Sequence, residues 1–101
     1  KKQIDGPTDD VLSLGDLRAK YESFGWKVWE CNGNDMQELV DTFNKIRENA
    51  HKGQSQILLA HTEMGMGVDF MMGTHKWHGV APNDEQAANA LSQLKETLGD
   101  Y

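Results

Sequence analysis

At 101 residues the chain has the length of one small domain, and 16 Asp and Glu against 10 Lys and Arg leave a formal net charge of −6, with a pI near 5.0. That acidity argues against nucleic acid or an anionic membrane surface as the main partner, because both call for clustered positive charge. Hydrophobic residues make up 38% of the chain, and no window approaches the ~18 consecutive apolar residues of a membrane span. The single cysteine, Cys31, has no internal partner for a disulfide, so a reducing, cytoplasmic setting is expected. Lys1-Lys2-Gln3 begins the sequence without an initiator Met and is followed by no signal-peptide apolar region. The expectation is a piece of a longer protein.

The acidic stretch Asp5 to Asp10, with Gly6-Pro7 inside it, predicts a turn with a solvated face. Ser13-Leu14-Gly15-Asp16 resembles a capping box, after which Leu14, Leu17, Tyr21 and Phe24 recur at helical spacing. Gly25 stands where a C-cap glycine ends a helix. Trp26 to Cys31 is rich in β-formers and predicts a short strand. Asn32-Gly33 marks a turn, and Asn34 is the expected cap of a helix over Asp35–Asn49. Met36, Leu39, Val40, Phe43, Ile46 and Arg47 lay one stripe along that helix.

Ile57-Leu58-Leu59-Ala60 is a continuous apolar run, as a strand reads when helix layers cover both its faces. Thr62 to Asn83 has no usable period and is punctuated by Gly65, Gly67, Gly73 and Gly79. Pro82-Asn83 opens a last helix with Gln86 at the capping-box position, and Ala87, Ala90, Leu91, Leu94 and Leu98 are its expected inward face. The order helix–strand–helix–strand–long loop–helix predicts an α/β fold: a parallel sheet with helices on both faces, and one structural unit over residues 1–101. Two or three strands would leave uncovered edges, so the rest of the sheet is expected from sequence outside this chain.

In open α/β sheets, ligands bind beyond the carboxyl ends of the strands. That directs attention to His61-Thr62-Glu63-Met64-Gly65-Met66-Gly67, which opens a loop of about twenty residues, a length that usually carries function. Gly65 and Gly67 let backbone approach a ligand and offer N–H groups to an anion; the bland alternative is a tight turn. A second cluster is Gly73-Thr74-His75-Lys76-Trp77-His78-Gly79. Its two histidines suit metal ligation, acid–base work or simple capping of the loop. With His61 and Cys31 they form no recognised zinc spacing.

Taken together and in order, several motifs resemble the latter part of a transketolase thiamine-diphosphate-binding domain. They are Gln3-Ile4-Asp5-Gly6-Pro7-Thr8, Phe24-Gly25-Trp26, Asn32-Gly33-Asn34-Asp35, His61-Thr62-x-x-Gly65-x-Gly67-Val68 and His75-x-x-His78-Gly79-x-Ala81-Pro82. Gly33, the run Trp77 to Pro82 and Asp84-Glu85 resemble most the split transketolases, whose amino-terminal half is a separate small subunit.

The resemblance implies thiamine diphosphate with a divalent cation, Mg²⁺ or Ca²⁺, and transfer of a two-carbon ketol unit from a ketose to an aldose. It implies two partners: a carboxyl-terminal transketolase subunit, and the upstream part of this same subunit, which would hold the Gly-Asp-Gly…Asn motif. A hetero-oligomer acting on a sugar phosphate or other anionic sugar follows. Position by position, Lys2 matches the residue whose backbone carbonyl completes the metal shell, which suits a hard cation. Ile4 and Met64 match the apolar pair that sandwiches the thiazolium ring, and Gly65 and Gly67 the loop that approaches it. His75 matches the catalytic histidine near the diphosphate and substrate hydroxyls, and His78 a residue that supports that loop. Two other readings stand beside this one. A deoxyxylulose phosphate synthase also places an aromatic-His-Gly after a Gly-x-Gly loop, and a non-catalytic α/β interaction module would share the framework.

Overall fold

The computed structural model describes residues 2–50 and 52–95. They form a two-residue hairpin, β1 (Lys2–Gln3) and β2 (Gly6–Pro7), then α1 (Thr8–Leu12), α2 (Leu17–Ser23), β3 (Lys27–Asn32), α3 (Met36–Glu48), β4 (Gln56–His61) and α4 (Asp84–Gln93). The chain divides into two compact units. One is Leu12–Thr62; the other joins the segment ending at Val11 to the one beginning at Glu63.

The Leu12–Thr62 unit is a β–α–β arrangement. Strands β3 and β4 are parallel and joined through α3, with Val28 opposite Ile57 and Cys31 opposite Ala60. The two helices lie on opposite faces of this pair, as the alternation of strand side chains demonstrates. On one face, Lys27 Nζ donates to Asn49 Oδ1 at the end of α3 (3.1 Å), and Gln56, beside Lys27, donates to Ile46 O (3.2 Å). On the other, Glu30 accepts from Arg18 Nε of α2 at 2.7 Å. Val28 and Cys31, three residues apart and therefore on opposite faces, are both buried. An α/β fold with a helix on each face of the parallel pair is thus present, although the sheet holds only two strands among the described residues.

Several sequence expectations shift by a residue or two. The cap of α2 is Asp16, which accepts from Ala19 N at 2.9 Å, whereas Ser13 accepts from Gly15 N in a local turn. The carboxylate wins because Gly15, at φ +58°, breaks the chain's helical path before Asp16. Gly25 follows the C-cap Phe24 at φ +81°, the left-handed position a terminating glycine takes. Likewise α3 is capped by Asp35, whose side chain accepts from Glu38 N at 3.0 Å, and not by Asn34, whose backbone is held by Asn32 Oδ1. The strand begins at Lys27, leaving Trp26 outside it, ring against Tyr21 at 5.7 Å. The stretch after Pro7 is the short helix α1 and not a turn, with Asp9 and Asp10 in its first turn where the helix dipole favours acid.

The apolar stripe of α3 splits. Thr42 is buried and Leu39 and Ile46 are half-buried, spaced to face the sheet, while Met36, Val40 and Phe43 remain 74%, 48% and 52% exposed. Ile57, Leu58 and Leu59 are half-buried only.

In the other unit, β1 and β2 pair antiparallel with Ile4 and Asp5 at the tip. Helix α4 carries the expected capping box: Asn83 accepts from Gln86 N (2.9 Å) and Gln86 accepts from Asn83 N (3.0 Å). Its inward face is narrower than the sequence implies. Ala87 and Ala90 are half-buried, Leu91 and Leu94 are exposed, and Leu98 lies outside the described residues.

Replacing Asp35 by Ala is expected to lower stability by about 0.5–2 kcal/mol, the usual worth of an N-cap side chain. Asn34→Ala, which leaves that cap in place, should cost less. Urea unfolding of the two variants measures the contrast.

Candidate functional site

The stretch from Thr62 to Asn83 contains no helix or strand, as its lack of period predicts, yet it is tightly built. Three turns are stitched at the backbone: Met66 N donates to Glu63 O (3.3 Å), Val68 N to Gly65 O (3.1 Å), and both Met71 N and Met72 N to Val68 O (3.0 and 3.1 Å). Val68 is buried at their centre. Farther on, the Trp77 ring meets Phe70 edge-on at 5.3 Å and its Nε1 donates to Phe70 O at 3.1 Å. Asp69 exchanges two 2.8 Å hydrogen bonds with the Gln93 amide, tying the loop to α4.

Gly65 is what lets it close. Its φ is +72°, and a Cβ there would lie 2.7 Å from the Met71 carbonyl carbon and oxygen. Any side chain meets backbone that cannot swing aside, in a conformation L-residues disfavour. At Gly67, φ +96°, the near atom is a terminal Leu94 methyl at 2.9 Å, a softer obstacle.

The remaining candidates fall in the same unit as this loop. Lys2 lies in β1 and Ile4 at the hairpin tip, 57% exposed; Met64 is half-buried beside Gly65. His75 is half-buried and His78 exposed, and they are joined by a turn in which His78 N donates to His75 O at 3.0 Å. His78 therefore anchors the turn through its backbone.

Glu63, which no sequence pattern distinguishes, connects these pieces. Its Oε1 accepts from Gly73 N at 2.9 Å and lies 3.6 Å from Lys2 Nζ. The Gly73 N–H and then the Lys2 ammonium hold this carboxyl below its ordinary range. In the other unit, a separate cluster has Glu30 between Arg18 and His61 (2.7 and 3.4 Å), and the Arg18 guanidinium is the chief reason Glu30 also sits low.

Among the described residues, no three His, Cys, Asp or Glu side chains are grouped to hold a metal ion. Met64 is half-buried, and the faces of Gly65 and Gly67 that would carry a side chain lie against Met71 and Leu94. No helix among the described residues is long and apolar enough to cross a membrane.

The family model described as "Transketolase, thiamine diphosphate binding domain" matches residues 1–99. One subunit of the apulose-4-phosphate transketolase of Phocaeicola vulgatus, and its counterpart in Actinobacillus succinogenes, are each 38% identical over 96 residues, covering 95% of this chain and 34% of theirs. The SqwG subunit of a 6-deoxy-6-sulfo-D-fructose transketolase, from a Clostridium species, is 28% identical over 96 residues, again 95% of this chain and 34% of that one. The chain spans about a third of the length of these curated relatives.

Gly79 has φ +87° but open space where a Cβ would go, so it isolates conformational strain from collision. Gly79→Ala is expected to destabilise by ~1–2 kcal/mol, from the left-handed backbone alone. Gly65→Ala should exceed it by a further ~1–3 kcal/mol, from crowding against Met71. Chemical denaturation of the two variants compares them.

Proposed function

Because the chain belongs to the transketolase family, in its thiamine diphosphate-binding domain, we propose that it supplies the later part of that domain to a split, two-subunit transketolase. The match over residues 1–99 to that domain carries the reading. The enzyme moves a two-carbon ketol unit from a ketose to an aldose. The C–C bond beside the ketose carbonyl breaks, the shortened aldose leaves, and the same unit bonds to the acceptor's aldehyde carbon. Thiamine diphosphate, when bound, supplies the electron sink for both bond changes.

This chain's residues bind, orient and exchange protons. Ile4 and Met64 would supply apolar walls for the thiazolium ring. Gly65 and Gly67 would let this loop come up to the ring, Gly65 by allowing the chain to turn back against Met71. Lys2 would contribute its carbonyl oxygen to a bound Mg²⁺ or Ca²⁺ ion. His75 faces the diphosphate and the substrate hydroxyls, where an imidazole both donates and accepts protons near neutral pH. His78 holds His75 in place through the backbone hydrogen bond at 3.0 Å.

The substrate is a phosphorylated or otherwise anionic sugar, since the relatives above are named for a phosphate and a sulfo sugar. The partners are a carboxyl-terminal transketolase subunit and the upstream part of this chain's own subunit, and they assemble in the cytoplasm.

In the two-subunit enzyme, product formation from a ketose donor should depend on an aldose acceptor. Consumption of pyruvate with glyceraldehyde phosphate would instead identify a deoxyxylulose phosphate synthase. His75→Ala should lower kcat by about 10²-fold or more, the usual worth of a positioned proton-transfer group, with a wild-type melting curve. An unchanged kcat would remove His75 from the chemistry, and absence of any transfer by the intact enzyme would leave an interaction module.

A further inference from the structure

Glu63 opens the glycine loop, and its own backbone carbonyl starts the first turn by accepting from Met66 N at 3.3 Å. Its side chain reaches across ten residues to Gly73 N (2.9 Å), which stands at φ +71° two residues before His75. The same oxygen is 3.6 Å from Lys2 Nζ, on the strand that precedes Ile4. One carboxylate thus joins two other stretches of chain, at Lys2 and at Gly73 before the His75 turn, to its own, which continues into Met64. Both Glu63 and Lys2 are partly covered, their side chains 34% and 27% exposed.

We propose that Glu63 is a positioning residue: its carboxylate fixes Gly73 and Lys2, and so sets where the His75 turn and the Lys2 carbonyl stand relative to the loop that faces thiamine diphosphate. The proposal rests on the transketolase reading and adds a residue to it. The hydrogen bond to Gly73 dominates over the pair with Lys2. It is short and charge-assisted, whereas a partly exposed ion pair at 3.6 Å is loose and screened. Reach and an acceptor oxygen therefore matter more than charge. Glutamine keeps both, while aspartate, one methylene shorter, keeps the charge and loses the reach.

The test is titration of thiamine diphosphate, with Mg²⁺ present, into the cofactor-free two-subunit enzyme, followed calorimetrically and by tryptophan fluorescence, with thermal melts of each variant. Glu63→Ala and Glu63→Asp are expected to weaken cofactor binding by about 10- to 100-fold, as loss of outer supporting groups typically does. Glu63→Gln should stay within about threefold, since a neutral acceptor still receives the Gly73 N–H. Wild-type affinity in Glu63→Ala, or Glu63→Asp binding better than Glu63→Gln, would overturn the proposal. Should Glu63→Ala not fold, the aspartate–glutamine pair decides alone. Failure of the wild-type enzyme to bind thiamine diphosphate at all is a different outcome: it overturns the transketolase reading, and the positioning role with it.

Discussion

A single steric fact shapes the candidate site: the backbone of Met71 passes 2.7 Å from where a Gly65 side chain would begin. The chain can fold back on itself there only because residue 65 has no Cβ and accepts φ +72°. That return buries Val68, brings Gly73 within reach of Glu63, and leaves Met64 and His75 on a stretch that is closed without being helix or strand. The Phe70–Trp77 contact and the Asp69–Gln93 amide pair then lock the far side. A loop fastened at so many points loses less conformational freedom on meeting a ligand than an open one would, which is the physical value of preorganisation.

Unit Leu12–Thr62 solves a different problem. Its parallel pair puts one buried residue on each face, Val28 and Cys31, and recruits a helix to each side through polar ties from Lys27, Gln56 and Glu30. Burial is shallow, with Met36, Val40 and Phe43 exposed along α3 and Phe24 after α2. That exposure is in keeping with a chain spanning about a third of its relatives' length, because layered α/β folds cover helices and strands from several neighbours at once.

Much of this was legible from residue order. Strands β3 and β4, helices α2, α3 and α4, the capping box at Asn83 and the irregular stretch after Thr62 all follow from periodicity and cap chemistry. What misled was local competition. Ser13 and Asn34 look like caps, but Asp16 and Asp35 lie closer to the first helical residue and win. Helix α1 was hidden because Pro7 and two aspartates read as a turn when no apolar period supports a helix. The inward stripes on α3 and α4 were overstated, since periodicity marks which residues share a face and says nothing of how much of that face is covered. Glu63 gave no signal, because a carboxylate bonded to a backbone N–H ten residues away leaves no trace in side-chain spacing. The candidate site itself came from ordered motifs and a family resemblance; the family match bears out the resemblance, and the geometry adds the contacts that join Lys2, Glu63 and Gly73.

Hydrogen–deuterium exchange on the assembled two-subunit enzyme, with and without thiamine diphosphate and Mg²⁺, addresses the central claim most directly. Closure of the glycine-rich segment over the coenzyme predicts slowed exchange across residues 63–79 and in the 2–7 hairpin, with α3 little changed. Coenzyme-induced protection elsewhere in the enzyme, with residues 63–79 exchanging as before, would contradict it.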